Sequence, residues 1–179
     1  MTPEELGQLY PIIIKPYNPK WKEYYLQERD LLYHLFSIEL SIEHIGSTAV
    51  IGLSAKPTID ILLEKPAILT DPEIIEIFTK NGYIHMKEQT NHLMFVKGYT
   101  PTGLEAISYH VHMAPLNETW LWDRIFFRDY LNQKKQYRYE YEELKIALAK
   151  QYKHDREAYT SMKTDFIKKI TAEAKKAFL

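Results

Sequence analysis

The 179-residue chain contains no cysteine, and this absence excludes several kinds of site at once. Disulfides, thiolate-ligated zinc, iron–sulfur clusters and cysteine nucleophiles all need a side chain that the sequence does not have. The length fits one domain, and a chain of this size buries about 70% of the surface that its extended form exposes, so it needs no cross-links to fold.

Long apolar runs are also missing. No stretch approaches the roughly 20 apolar residues that span a bilayer. The N-terminal segment MTPEELGQLYPIII has neither the basic start nor the apolar run of a signal peptide. We therefore expect a cytoplasmic protein that does not associate with membranes.

Neither sign of charge is in excess, because 23 Lys and Arg oppose 24 Asp and Glu for a net charge of -1. This balance argues against a globally basic nucleic-acid binder, although it is compatible with a local basic patch. The two parts of the chain differ: residues 1–115 carry 9 basic and 14 acidic side chains, and residues 116–179 carry 14 and 10. The basic C-terminal part is either a set of solvated helices or a wall that helps to hold an anion.

Apolar periodicity predicts an α+β protein with strands in residues 1–115 and helices in residues 116–179, all in one domain. The sequence also places an N-cap at Asp71 with Pro72 as the first helical residue, and a left-handed helix end at Gly82. Strands are predicted at 12–14, 41–45, 58–63, 83–88, 93–99 and 104–113, and helices at 21–36, 71–80, 118–132, 134–153 and 156–177.

The segment IEHIGSTAVIGLSAKPTIDILLE, residues 42–64, carries the most chemistry. Gly46 follows a predicted strand and lets the backbone approach a phosphate, while Ser47 and Thr48 add hydroxyl donors. Asp60 lies on the polar side of the next strand, where a carboxylate can bind a divalent cation that neutralises phosphate charge. Lys56 precedes it in the loop and is either a solvated lysine or a phosphate contact.

Two histidines in the segment YHVH form a second candidate group. His110 and His112 are two residues apart on a predicted strand, so both rings lie on one face. Imidazoles beside Asp60 would favour Zn²⁺, Mn²⁺ or Fe²⁺ over Mg²⁺. The alternative is that these histidines are only hydrogen-bonded, and the same two interpretations apply to His44 near the Gly-Ser loop.

Basic residues embedded in apolar stripes form the third group. Arg128 and Lys163 either extend to solvent or bind a phosphate, and Lys97 at a strand end is a further candidate.

The Gly-Ser loop and Asp60 resemble the signature of the polymerase β-type nucleotidyltransferase superfamily. That signature is Gly-Gly or Gly-Ser, roughly ten residues, and then Asp, an apolar residue and a second acid. Here twelve residues separate Ser47 from Asp60, and Leu62 occupies the second acidic position. Glu64 lies two residues further along the same face and is a possible substitute.

The motifs EHIGSTAV, GLSAKPTIDI, HVHM, FRDYL and MKTDFI together resemble the GrpB family, also called UPF0157, over nearly the whole chain. The resemblance implies a nucleotidyltransferase-like sheet in residues 1–115 with helices of residues 116–179 packed on it. It also implies that His110 and His112 lie opposite Asp60, where related folds place a third metal-binding carboxylate.

Three functions follow from these residues. The first is metal-dependent transfer of a nucleotidyl group, with Asp60 as the catalytic metal ligand and Mg²⁺, Mn²⁺ or Zn²⁺ as cofactor. The second is a module that binds a nucleotide or another phosphorylated small molecule without catalysis. The leucine at position 62, in place of the second acid, favours this interpretation. The third is a metal-dependent hydrolase that uses His110, His112 and Asp60. The sequence contains no GxxxxGK[ST] loop of the P-loop kinases.

Overall fold

The computed structural model describes residues 2–179 and contains a mixed five-stranded sheet flanked by helices, which confirms the α+β prediction. No helix in this range is both long and apolar enough to cross a membrane. The strands are β1 (Ile42–Ile45), β2 (Thr58–Glu64), β3 (Ile84–His85), β4 (Leu93–Thr100) and β5 (Gly103–Ala114). The helices are α1 (Pro3–Leu9), α2 (Lys20–Phe36), α3 (Asp71–Lys80), α4 (Thr119–Trp122), α5 (Arg124–Gln133), α6 (Lys135–Gln151), α7 (Arg156–Ser161) and α8 (Thr164–Phe178).

The strand order is β1-β2-β5-β4-β3, and only β2 and β5 run parallel. In this pair Asp60 lies beside His110, and Leu62 lies beside His112. The two strands are neighbours in the sheet, as a site shared by Asp60, His110 and His112 requires. Because side chains alternate along a strand, Asp60, His110 and His112 all point to the same face of the sheet.

The two faces of the sheet have different partners. One face packs against α2 and α3 through an apolar core that includes Ile59, Ile61, Val111 and Phe95. The other face carries Asp60 and the two histidines. There the C-terminal helices pack on the sheet through a smaller cluster of Ile45, Leu62, Ala114 and Leu121. The functional candidates therefore lie between the sheet and the C-terminal helices.

Several predicted boundaries were wrong. Residues 12–14 form no strand: Ile12 packs on Leu148 and Tyr159, and a single bridge joins Lys15 to Ala55. The strand predicted at 83–88 is only Ile84–His85. Thr70, and not Asp71, caps α3, and its capping box with Glu73 places Pro72 at the second helical residue.

The C-terminal helices are more divided than their periodicity indicates. The helix predicted at 118–132 is split at Asp123 into α4 and α5, and the helix predicted at 156–177 is split after Ser161. The second break makes Lys163 the N-cap residue of α8. The helix α1 was not predicted, although Thr2 and Glu5 form a capping box at its start.

Candidate functional site

Asp60 is the centre of the candidate site, and a nitrogen of each of two histidines lies near the same oxygen of its carboxylate. Its Oδ1 lies 3.5 Å from Nδ1 of His110 and 3.8 Å from Nε2 of His112. These are separations at which three atoms can contact one ion about 2 Å from each. Within residues 2–179, Asp60, His110 and His112 form the group of acidic and histidine side chains whose ligand atoms lie close enough together to share a metal ion.

The backbone of Gly46 closes one side of Asp60. Gly46 has a φ of +73°, and a Cβ atom at this position would lie 2.6 Å from Oδ2 of Asp60. Both the left-handed conformation and the close approach require glycine. The Gly-Ser loop is therefore in contact with the carboxylate. A phosphate bound by this loop would lie next to a cation bound by Asp60.

The proton on His112 is positioned by its neighbours. Nδ1 of His92 can only donate to Oδ1 of Asn91, at 2.8 Å, because an amide oxygen only accepts. Nε2 of His92 is then the acceptor for Nδ1 of His112, at 3.0 Å. A neutral His112 consequently carries its proton on Nδ1 and presents the lone pair of Nε2 to Asp60, which is the tautomer that a metal ligand needs.

His110 is held by a different pair of residues. Its Nε2 lies 2.7 Å from the hydroxyl of Tyr99, which accepts a hydrogen bond of 3.0 Å from Arg156. The hydroxyl can either donate to Nε2 or accept from it, since a phenol oxygen has two lone pairs. A cation at Nδ1 of His110 would select the second arrangement.

The protonation states of Asp60 and His112 suit a cation. Burial favours the neutral acid at Asp60, but the facing imidazoles outweigh it and hold the pKa of this carboxyl well below its usual range. Burial lowers the pKa of His112 to about 4, although Asp60 opposes the shift. At neutral pH the site thus offers a carboxylate and an unprotonated imidazole, so its donor set fits a divalent cation.

A cluster of basic side chains lies on the His110 side of Asp60. Lys163 and Lys56 both lie over the ring of Tyr159, with Nζ 4.3 and 5.4 Å from its centroid. Lys145 is buried, lies 4.9 Å from the ring centroid of Tyr141 and donates to the carbonyl of Ser54. We call Lys56, Lys145, Lys163 and Arg156 the basic cluster.

The three lysines of the basic cluster repel one another. Burial is the main cause that lowers their pKa values, to about 7 for Lys56 and Lys145 and about 8 for Lys163. The charge of Lys163 adds to this effect at the other two lysines. No ion pair to a carboxylate is found for any of them in the described part of the chain. Three close ammonium groups without a counter-ion favour the binding of a multiply charged anion.

The Gly-Ser loop uses its two hydroxyls differently. The hydroxyl of Thr48 donates to the carbonyl of Thr58 at 2.9 Å and contacts Nε2 of His44 at 3.0 Å, so it fixes the loop and is buried. The hydroxyl of Ser47 lies beside that of Tyr141, on the side of the basic cluster. Ser47 therefore stays a candidate phosphate contact, whereas the side chain of Thr48 is occupied.

His44 has a structural role in this arrangement. Its ring stacks on Tyr25 with centroids 4.7 Å apart, on the α2 side of the sheet and away from Asp60. Burial lowers its pKa to about 4, so it is neutral. The possibility that His44 approaches the pocket is not supported.

Three other candidates have partners of their own. Arg128 is paired with Glu43 at 2.6 Å and Asp129 at 2.7 Å, so its predicted phosphate contact is not supported. Lys97 pairs with Glu28 on the opposite face of the sheet. Glu64 accepts from the backbone of Ser41 at 2.9 Å, at the end of β2, and does not join the metal-binding group.

The packing around Leu62 explains why this position of β2 does not hold a second carboxylate. Its side chain is fully buried in the cluster that packs α4 and α5 on the sheet. An acid there would be costly to bury without a partner. Of the paired acids in the nucleotidyltransferase signature, this chain keeps only Asp60.

Comparison with known proteins identifies the family. The family model described as "GrpB protein" matches residues 11–173. The chain belongs to the GrpB family. A UPF0157 protein of Pseudomonas aeruginosa is 37% identical over 91% of this chain and 67% of its own length. The Glutamate-rich protein GrpB of Alkalihalophilus pseudofirmus is 31% identical over 90% of this chain and 95% of its own.

Solved structures agree on the fold. The crystal structure of the conserved protein GrpB from Enterococcus faecalis covers 93% of this chain and 99% of its own, with a TM-score of 0.80 and 31% identity. A structure of the Cid1 poly(U) polymerase bound to Mg 3'-dATP covers 83% of this chain and 49% of its own, with a TM-score of 0.55 and 13% identity. The predicted nucleotidyltransferase-like fold of this GrpB protein is therefore confirmed.

Sequence reasoning missed five residues of the site. His92, Tyr99 and Arg156 orient the two histidines, Lys145 completes the basic cluster, and Arg124 faces Asp60 from α5. None stands in a motif, because their contacts join elements far apart in the chain. Lys145 gave no signal either, because it is one of seven charged residues in α6.

Proposed function

We propose that this GrpB protein is a metal-dependent nucleotidyltransferase that acts on a nucleoside triphosphate. The observation that supports it most directly is the position of Asp60, with two histidine nitrogens on one side and an unpaired basic cluster within its electrostatic reach. A nucleotide needs both a cation at the reacting phosphorus and positive charge along the rest of the polyphosphate. We further propose that residues 1–179 act as a single domain, since the sheet and the C-terminal helices both contribute to this pocket.

The residues divide the work as follows. Asp60, His110 and His112 would hold one divalent cation, and two imidazoles favour Mn²⁺ or Zn²⁺ over Mg²⁺. When bound, the cation supplies charge neutralisation at the α-phosphate. The basic cluster would hold the β- and γ-phosphates, and Gly46 with Ser47 would contact the phosphate nearest to Asp60.

The proposed reaction is a displacement at the α-phosphorus. The oxygen of an acceptor hydroxyl forms a bond to this phosphorus while the bond to the bridging oxygen of the β-phosphate breaks. Pyrophosphate leaves toward the basic cluster, and the proton of the acceptor goes to solvent. Leu62 limits this protein to a single cation, because the usual two-ion arrangement needs a second shared acid.

Leu62 also supports a second candidate, a module that binds nucleotides without turnover. A third candidate, metal-dependent hydrolysis, is supported by the Asp-His-His set. The three differ in their products: pyrophosphate with a nucleotidylated acceptor for transfer, no product for binding, and either pyrophosphate with nucleoside monophosphate or orthophosphate with nucleoside diphosphate for hydrolysis.

The test combines a thermal-shift titration with product analysis. The chain is titrated with ATP, ADP and AMP, with and without Mn²⁺, and pyrophosphate and orthophosphate are then measured. We expect protection to rise from AMP to ATP because more phosphates reach the basic cluster. Lys163→Met should lose most of this gain, whereas Lys168→Met, at an exposed position of the same helix, should keep it.

The outcomes separate the candidates. Pyrophosphate that appears only with a metal, an acceptor and intact Asp60, and without formation of AMP from ATP, supports transfer, whereas pyrophosphate with an equal amount of AMP supports hydrolysis. Protection by ATP without any product in a broad acceptor mixture supports the binding module instead. Equal protection by AMP and ATP would contradict the role of the basic cluster.

A further inference from the structure

A second cationic group lies at the other end of the row of histidines. Arg124 begins α5, and its charge acts on both His92 and His112. Arg156, by contrast, reaches His110 through the hydroxyl of Tyr99. Since β5 runs from His110 to His112, Arg124 and the basic cluster lie at opposite ends of the site.

The guanidinium of Arg124 makes no ion pair in the part of the chain that the structure describes. Neither a hydrogen bond nor an ion pair is found for it within residues 2–179, although Arg128, one turn later, has two carboxylate partners. Burial lowers the pKa of Arg124, and Asp60 acts against the shift. A partly buried guanidinium offers five N–H donors in a planar fork, which a carboxylate or phosphate satisfies with two parallel hydrogen bonds.

An exposed aromatic ring lies next to this guanidinium. The centroid of Trp120 is 5.9 Å from Cζ of Arg124 and 5.5 Å from the ring centroid of His92, which it meets edge to face. Its Nε1 donates to Glu118 at 3.0 Å, which ties down the polar edge of the indole. Trp120 is nevertheless 43% exposed, so it presents an oriented apolar surface to a ligand.

We propose that Arg124 and Trp120 form the subsite for the acceptor, a molecule that carries a carboxylate or phosphate beside a flat or apolar group. The anion binds the guanidinium of Arg124, and the flat group rests on Trp120. Only the description of this ligand as the acceptor rests on the proposed transfer reaction. The ligand site itself is inferred from the unpaired guanidinium and the oriented indole. The triphosphate and the acceptor then approach Asp60 from opposite ends of the site.

The test uses phenyl phosphate as a probe, because it joins an anion to a flat ring. Its binding is measured by isothermal titration calorimetry without metal or nucleotide, against inorganic phosphate and benzyl alcohol. We expect phenyl phosphate to bind more tightly than either fragment. Arg124→Gln should weaken it about tenfold or more, since a charge-assisted pair of hydrogen bonds is lost. Arg124→Lys should restore only part of the affinity, because lysine lacks the fork.

Matched variants locate the site. Trp120→Ala should weaken phenyl phosphate but leave inorganic phosphate unchanged, and Trp120→Phe should restore part of the loss. Arg29→Gln makes the same chemical change on α2 and should have no effect. A loss of binding in Lys163→Met, with Arg124→Gln unchanged, would place the probe on the basic cluster and overturn the proposal. Absence of binding to the unmodified chain would also overturn it.

This experiment is independent of the proposed enzymatic function. Asp60→Asn should keep phenyl phosphate binding, because the probe does not need the cation. Arg124-dependent binding together with a lack of metal uptake would leave the subsite standing and contradict the transfer reaction. Metal uptake and pyrophosphate release, together with probe binding that does not depend on Arg124, would support the transfer reaction and overturn the subsite.

Discussion

At the scale of single residues, Gly46 is the position at which sequence, backbone and chemistry coincide. Its φ of +73° suits glycine, and its missing side chain lets the loop contact Oδ2 of Asp60. Gly46→Ala should destabilise the fold by about 1–3 kcal/mol from backbone strain, and it should also push the carboxylate away from the histidines. Denaturant unfolding measures the first effect and Mn²⁺ affinity the second.

Gly52 provides the control for this variant. It has a similar φ of +81°, but a Cβ atom there would meet nothing within 4 Å. Gly52→Ala should therefore show the loss of stability without the loss of metal affinity. Equal metal affinity in the two variants would show that contact between the loop and Asp60 does not matter for the site.

The sequence allowed Asp60, His110 and His112 to be proposed as one group because strand alternation assigns each side chain to a face. Their pairing depended on β2 and β5 being neighbours, which residue patterns alone do not determine. Arg128 shows the opposite case. Its apolar surroundings indicated an anion site, but the acids Glu43 and Asp129 are close enough to pair with it in the folded chain.

At the scale of elements, His92, the residue just before β4, controls the tautomer of His112 on β5. His92→Phe keeps an aromatic ring beside Trp120 but removes the acceptor for Nδ1 of His112. We expect metal affinity to fall about 10-fold or more, in the range seen when the residue that orients a ligand is lost. Calorimetric titration with Zn²⁺ or Mn²⁺ measures the affinity, and nitrogen chemical shifts of His112 report its tautomer.

His85→Phe is the matched control, because His85 lies on β3 and packs against Phe95 on the other face of the sheet. It should leave metal affinity unchanged. If His92→Phe binds metal as tightly as the unmodified chain, the orientation of His112 does not depend on His92.

Elements were predicted well where periodicity is strong and poorly where tertiary contacts decide. The strands β2, β4 and β5 were found within one or two residues. The break after Ser161 was missed because the apolar stripe continues across it. That break makes Lys163 the N-cap residue of α8. Its contact with the ring of Tyr159, four residues earlier, is one that an unbroken helix would also allow.

At the scale of the whole molecule, the basic cluster should shape the dependence of stability on pH. Lys56 and Lys145 have pKa values of about 7, below the value of about 10.4 of an unfolded lysine. Between pH 7 and 9.5 the unfolded chain binds more protons than the folded chain, so stability rises with pH. Above about pH 10 it should fall, because Tyr25 and Tyr141 have pKa values raised to about 12 and stay protonated when folded.

The measurement is the thermal midpoint of the metal-free chain from pH 6 to 10.5, with and without inorganic tripolyphosphate. The anion should protect most near pH 7 or below, where it can draw protons onto the lysines, and least near pH 9.5. A midpoint that falls steadily from pH 7 to 9.5, or protection that does not change over this range, would contradict the described state of the basic cluster.

We expect Asp60, with His110 and His112, to hold one divalent cation. The most direct measurement is a calorimetric titration of metal-free protein and of Asp60→Asn with Mn²⁺ and Zn²⁺ at neutral pH. Asparagine keeps the shape of the side chain but removes the charge. We expect close to one ion per chain for the unmodified protein and a loss of about 100-fold or more in affinity for Asp60→Asn, since a ligand and its charge are removed together. Equal affinity and stoichiometry for the two proteins would contradict it.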